Sequence, residues 1–288
     1  MFEGHGMIEQ LRITVLVENT AGRDDLVAEH GLALWIETDD RKILFDTGQG
    51  PALAPNAEAL GINLEEAYAV ALSHGHYDHT GGLAALRNRL RHAKLYVHPA
   101  AFDRKFGVTT EGSRYIGASL GRLEQLQREI PNLIPTIEPT EIVPGVSVTG
   151  EIPRRNDFED VGGPFFRDDV GRAPDSLPDD QAMYIDTRDG MVVLLGCAHA
   201  GVVNTLDYIA ELTGADRFHA VLGGMHLVRA SEDRISRSIA ALRAYDVQLI
   251  GPCHCTGAEP TARIRGALPE RFLEVSAGSV ISFPDAPR

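Results

Sequence analysis

Residues 73–82 read SHGHYDHTGG, which sets His74, His76, Asp78 and His79 within six consecutive positions. The preceding run AYAVALSH (67–74) is apolar and short, as expected of a buried strand whose end delivers the cluster. The run after it, TGGLAALRNRLRH (80–92), has the apolar spacing of a helix. In an extended or tightly turning segment, alternate residues project to one side. His74 and His76 are therefore expected to grip one cation, while Asp78 and His79 swing round the turn towards a second. Imidazole and carboxylate donors suit zinc, with iron and manganese as alternatives. A solvated polar loop would carry a single histidine more readily than four such donors at the end of an apolar strand.

Working outward, LRITVLVE (11–18), LALWIET (32–38) and ILFDTG (43–48) read as three strands of a meander, the last ending in a glycine loop. Helices are expected at 51–62 and 117–129, with a strand at 94–99 between them. The segment 151–181 carries Pro153, Pro164, Pro174, Pro178 and many aspartates, which predicts a long irregular loop of the kind that is functional or mobile. AMYIDTRDGMVVLLGCAH (182–199) reads as a hairpin turning at Arg188-Asp189-Gly190. Helices then alternate with strands: helices at about 201–213, 231–244 and 259–267, strands at 218–223, 247–251 and 278–283. A β-rich first half followed by β/α alternation predicts one α/β domain over 1–288 with its helices outside the sheets.

The chain has 288 residues, 43% apolar and 24% charged, a balance that supports a proper core. Its formal net charge is −14, and no cluster of Lys and Arg longer than a pair or so appears. That argues against nucleic acid as a partner and leaves small-molecule substrates open. No apolar run approaches the roughly 18 residues that span a bilayer, so no membrane is expected. The first residues lack the pattern of an export signal, and the three cysteines are an odd count. Both features predict a reducing, cytoplasmic setting. No pattern in the chain speaks to oligomerisation.

A metal site needs donors from distant parts of the chain. Eight of the eleven histidines lie outside the cluster. His199, in LLGCAHAG, and His254, in LIGPCHCTG, each follow an apolar strand, where the ligands of α/β sites sit. His92 caps an exposed helix end, His219 lies in a buried strand, and His5 stands near the chain start, so these three are weaker candidates. Cys197 reads either as a thiolate ligand or as a small buried residue.

The pattern His-x-His-x-Asp-His after an upstream FDTG resembles the metallo-β-lactamase superfamily over nearly the whole chain. The resemblance implies a four-layer αββα sandwich, an α/β fold, with one or two divalent metal ions at one edge of the sheets. It also implies that Asp46 of ILFDTG supports the first motif from behind rather than touching the metal. The alternative for Asp46 is a turn-initiating residue before glycine. Two features depart from the common pattern. A histidine in a Gly/Pro-rich turn between 79 and 199 is missing, and the place of the usual bridging aspartate reads Gly196-Cys197.

The wider set AEHGLALWIE, ILFDTGQ, LSHGHYDHTGGL, GCAHAGVVNTL, GGMHL and GPCHCTG is similar to the branch of dihydropterin-methyl-ribofuranosylaminobenzene phosphate synthase-like proteins, named for a step of methanopterin synthesis. In that pattern His226 and His30 either face the substrate or are core histidines bonded to backbone. Arg154 and Arg155 read as a phosphate clamp or as ordinary solvated charge. The expected chemistry is that of a metallo-hydrolase, or a related transferase, on a small phosphorylated or ester-type metabolite, pterin-ribofuranosyl phosphate chemistry included. A divalent cation in such a site brings the pKa of water towards neutrality, and Asp78 would ligate or shuttle a proton. The rivals are a diiron redox protein of the same fold, which typically carries glutamate where this chain has His76, and a non-catalytic metal-binding domain.

Overall fold

A computed structural model of the chain describes residues 6–86, 88–119 and 123–284. In chain order the first half contains β1 (Leu11–Val17), β2 (Ala33–Glu37), β3 (Lys42–Phe45), α1 (Leu53–Ala59), β4 (Ala69–Ala71), α2 (Tyr77–Thr80), β5 (Lys94–Val97), β6 (Phe106–Thr109), β7 (Gly112–Tyr115), α3 (Leu123–Glu129) and β8 (Leu133–Pro135). There follow β9 (Thr140–Val143), β10 (Val146–Val148), β11 (Phe165–Phe166), β12 (Met183–Thr187), β13 (Gly190–Leu195), α4 (Val202–Thr213), β14 (Ala220–Gly224), α5 (Glu232–Ala244), β15 (Leu249–Cys253), α6 (Ala258–Ala267) and β16 (Val280–Phe283).

Two large sheets follow one plan. The first has the order β16-β1-β2-β3-β4-β5-β8, antiparallel as far as β3 and parallel from β3 onward. The second has the order β15-β14-β13-β12-β10-β9, parallel from β15 to β13 and antiparallel beyond. A third, small sheet, β11-β6-β7, stands apart.

Period-2 alternation decides the layers. Ile13, Leu34, Ile36, Ile43 and Phe45 of the first sheet meet Val146, Val148, Met183, Val192 and Leu194 of the second in one buried cluster. The alternate residues Trp35, Leu44, Val70 and Leu95 face outward and pack with Leu53, Leu83 and Leu86. On the far side, Val193, Leu195 and Val221 pack under Val202, Leu206, Ile235, Leu242 and Ile264 of α4, α5 and α6. Central strands buried on both faces account for the near-continuous apolar runs LRITVLV and GMVVLL. The result is the expected αββα sandwich. Among the described residues no helix is long and apolar enough to cross a membrane.

Several expectations need correction. The helix foreseen over 80–92 is instead the single turn of α2, a 3-10 turn at Gly81–Ala84 and another at Arg89–Arg91. Gly81 and Gly82 are pressed against the 47–49 loop: a Cβ would meet the Gln49 carbonyl oxygen at 2.1 Å and that of Thr47 at 2.2 Å. The helix foreseen over 117–129 begins only at Leu123, because Gly117 bridges antiparallel to His76; residues 120–122 lie outside the described set, as does His5. The strand foreseen over 67–74 is three residues long, since the chain leaves the sheet before Ser73. The loop 151–181 is irregular apart from β11, but it is pinned rather than free. Gln181 donates from Nε2 to the Leu72 carbonyl at 2.7 Å, and Asp179 accepts the Gly75 N–H at 2.7 Å.

Leu194 is fully buried between the sheets. Leu194→Ala is expected to lower the unfolding free energy by about 2–5 kcal/mol in urea denaturation. A loss well under 1 kcal/mol would contradict this packing.

Candidate metal centre

The donor-bearing residues leave the C-terminal ends of parallel strands: Asp46 after β3, the 74–79 cluster after β4, Cys197 and His199 after β13, His226 after β14, and His254 after β15. Open α/β sheets gather ligands at such ends. Six non-glycine residues among those described have positive φ, and four of them lie here: Asp46 (60°), Ala198 (53°), His226 (45°) and His254 (50°). The left-handed region costs roughly 1–3 kcal/mol per residue and concentrates at functional sites. At each of these strand ends it turns the chain sharply into the centre.

Five overlapping donor groups result among the described residues. The ligand atoms of His74, His76 and His199 lie within 4.8 Å of one another. Those of Asp78, His254 and His30 do the same. His79 presents Nε2 3.1 Å from Nε2 of His254 and 4.0 Å from the Asp78 carboxylate. Cys197 joins three of the groups: its Sγ lies 3.2 Å from Nε2 of His79, and it is grouped with His74 and His79, with His199 and His226, and with His254 and Cys255.

Neighbouring oxygens fix the imidazole tautomers. Nδ1–H of His79 donates to Asp46 at 2.7 Å, and Nδ1–H of His199 to the Val161 carbonyl at 2.8 Å. Nδ1–H of His254 donates to the Asn19 side chain at 3.0 Å. Ser73 gives its hydroxyl proton to Asp46 at 2.6 Å and accepts from Nδ1–H of His74 at 2.9 Å. The Nε2 lone pairs of His74, His199 and His254 therefore point inward, the arrangement in which imidazole binds metal, and His79 presents its Nε2 to the same space. Nε2 of His76 and of His199 are buried with no hydrogen-bond partner. An orphaned buried nitrogen costs about 1–3 kcal/mol, and a cation would use that lone pair. The donor set fits a divalent metal.

Electrostatics keep the nitrogens neutral. Burial drives the pKa of His76 down to about 3 and that of His254 to about 4, and pushes His74 and His199 well below the usual imidazole value. His79 is the exception. Burial opposes its charge, but the Asp46 and Asp78 carboxylates outweigh that and raise it to about 9. Burial likewise opposes the charge on Asp78, which His79, His30 and His254 nonetheless hold well below the carboxylate range.

The remaining candidates fall into place variously. Asp46 touches Ser73 and His79 from behind, accepting the Ser73 N–H at 2.7 Å as well. His30, with 54% of its side chain exposed, puts Nε2 3.1 Å from Asp78. The half-buried ring of His226 lies 4.3 Å from that of His199. Arg154 forms no phosphate clamp. Its guanidinium donates to the carbonyls of His199 at 2.7 Å and Ser176 at 2.8 Å, and so holds a ligand loop in place. Arg155 turns away to pair with Glu211 at 2.5 Å. His92 and His219 take no part in the centre.

Sequence reasoning missed several supports. Glu18 accepts the His254 N–H at 2.8 Å, Asp180 accepts the Ala200 N–H at 2.7 Å, and buried Lys105 joins Asp175 at 3.1 Å and Asp179 at 2.8 Å. The Phe165 ring lies tilted 5.0 Å from that of His76 and edge-on 5.3 Å from that of His199. Only the aspartate density of 151–181 hinted at any of these. A cleft of about 920 Å³ opens over the centre, lined by His76, Asp78, Cys197, His199, His226 and His254 among others.

A profile of the metallo-beta-lactamase superfamily matches residues 27–254. A relative from Methanocaldococcus jannaschii, named 7,8-dihydropterin-6-methyl-4-(beta-D-ribofuranosyl)-aminobenzene-5'-phosphate synthase, is 28% identical over 96% of this chain and 98% of its own. An uncharacterized protein of the same archaeon is 32% identical over 85% of this chain and 90% of its own. Among solved structures, Tm1679, described as a metal-dependent hydrolase of the beta-lactamase superfamily, is 31% identical, with a TM-score of 0.79 over 94% of this chain and 98% of that one.

Asp46→Ala removes the acceptor that orients His79 and Ser73. Metal affinity, read by competition with a chromogenic chelator, is expected to fall about ten- to a hundredfold. Unchanged affinity would show that Asp46 is dispensable to the centre.

Proposed function

The chain belongs to the metallo-beta-lactamase superfamily, and on that premise we propose that it is a metal-dependent hydrolase, or a related transferase, of a small phosphorylated or ester-type metabolite. The observation carrying this reading is the convergence of His74, His76 and His199 beside Asp78, His79 and His254 in one cleft, with buried imidazole nitrogens that have no other partner. In this reading His74, His76 and His199 would hold one divalent cation and Asp78, His79 and His254 a second, zinc first among the candidates, with Cys197 as a further donor. A cation so held supplies Lewis acidity and brings water towards ionisation near neutral pH.

The chain's own residues do the rest. Asp78 would hold a cation and orients His30, which is hydrogen-bonded to it, open to solvent, and so placed to carry a proton between cleft and surface. His30 is suited to this by a pKa raised through its hydrogen bond to Asp78. Phe165 supplies an apolar wall of the cleft beside His76 and His199. His226, whose Nδ1 is buried and unpartnered, orients the oxygen of the bound ester. The naming of one relative as a pterin-ribofuranosyl phosphate synthase supports a phosphorylated substrate.

The zinc-loaded protein is expected to turn over at least one member of a panel of phosphodiesters, lactones and β-lactams, with the rate lost on chelation and in His76→Ala. Metal uptake without turnover anywhere on the panel would favour a binding role instead. Loading metal at about pH 7.5 is expected to release about two protons, measured calorimetrically in buffers of different ionisation enthalpy. One comes from His79, whose value of about 9 keeps it protonated there, and one from Cys197, whose thiol pKa burial pushes up. Burial keeps His74, His76, His199 and His254 neutral at that pH. Cys197→Ser should release one proton fewer, and no difference would remove Cys197 from the ligand set.

A further inference from the structure

Two of the three cysteines have no part in the apolar packing. Cys253, the last residue of β15, lies in the cluster between the sheets and serves as a small hydrophobe. Cys197 and Cys255 belong to none of the three apolar clusters, and both line the cleft. Their sulfurs and a ring nitrogen of His254 all lie within 4.8 Å of one another. Sγ of Cys255 is also 3.7 Å from the Cys197 carbonyl oxygen.

The local backbone builds this placement. β15 runs into a 3-10 turn, His254–Thr256, entered at a left-handed φ of 50° at His254. Two consecutive side chains, His254 and Cys255, thereby reach the same residue, Cys197, beyond the tip of β13. Thr256 pins the turn: its hydroxyl donates to the Cys253 carbonyl at 2.8 Å and accepts the Met225 N–H at 3.1 Å. The sulfur then fills the space that a side chain at 224 would take. A Cβ on Gly224 would meet Sγ of Cys255 at 2.6 Å and the Gly196 carbonyl oxygen at 2.4 Å. Glycine at the end of β14 is what admits the second thiol to the centre.

We propose that Cys197 and Cys255 are a pair of thiolate ligands beside His254, and that this side of the centre selects a thiophilic cation, zinc or cadmium, over manganese or magnesium. Soft sulfur donors favour such ions, whereas carboxylate and carbonyl oxygens suit the harder ones. The group of His74, His76 and His199 offers nitrogen alone, so the two sides of the centre differ in the cation they prefer. Burial opposes a charge on Cys255, but the Cys197 thiol and the His226 imidazole outweigh it. This sulfur therefore enters as thiolate and adds no proton to those lost by His79 and Cys197. The proposal rests on the reading of the cleft as a metal centre and is independent of hydrolysis.

The test is optical. Cobalt(II) is added to the reduced, metal-free protein under anaerobic conditions, and near-ultraviolet sulfur-to-cobalt charge-transfer absorbance is compared at equal cobalt content. The parent is expected to show the band, Cys255→Ser and Cys197→Ser each about half of it, and the double variant none. Cys253→Ser should match the parent. In competition with a chromogenic chelator, cadmium affinity should fall at least about tenfold in Cys255→Ser, with manganese affinity little changed. A Cys255→Ser band equal to the parent's removes Cys255 from the ligand set. Absence of the band from the cobalt-loaded parent overturns the pair, whatever the variants do. Ester turnover without the band would leave the hydrolase reading standing and this proposal refuted; the band without turnover would do the reverse.

Discussion

A single buried carboxylate holds the centre together. Asp46 has no exposed surface, and both its oxygens are engaged, one by the Ser73 amide and the other by the Ser73 hydroxyl and His79. It thus ties the end of β3 to the end of β4 and to the first turn of α2. The tip of β13 presses on the same spot from the other sheet. A Cβ on Gly196 would strike the Ser73 hydroxyl at 2.0 Å and Asp46 at 3.2 Å. Glycine at 196 is what lets the two sheets bring their donors within reach of each other.

Around that contact the ligands are over-determined, as strained sites must be. Asp46, Ala198, His226 and His254 are held at left-handed φ, and the loops that carry them are bonded to distant parts of the chain. His254 is fixed by Glu18 and Asn19 from the loop after β1. His199 is fixed by Val161 and, through its carbonyl, by Arg154. The Gly75 amide is fixed by Asp179, which buried Lys105 neutralises. The long irregular segment is therefore structural support for the loops of the centre, and three of its seven aspartates, Asp175, Asp179 and Asp180, are buried there.

Much of this was legible in the sequence. The 74–79 cluster, the strand ends carrying His199 and His254, and the two-residue turn at 188–189 are local patterns with local causes. What failed to read was non-local. Gly81 and Gly82 look like tolerable residues in a helix until the 47–49 loop is placed against them. The β6–β7 hairpin and the pairing of β9 with β10 have no strong alternation, as their half-exposed burial explains. Arg154 has the chemistry of a phosphate ligand, and only its distance to two carbonyls reveals its employment. Glu18 and Lys105 gave no signal, because each acts on a partner more than 50 residues away.

The two sheets share a plan, an antiparallel edge leading to parallel strands, and the donors are divided between their tips. Neither half of the polypeptide carries the whole donor set. During synthesis the first four donors emerge long before the last, so the full cluster assembles only when β15 has docked beside β14. A truncated product lacking β15 would be left with an open, incomplete nest of imidazoles.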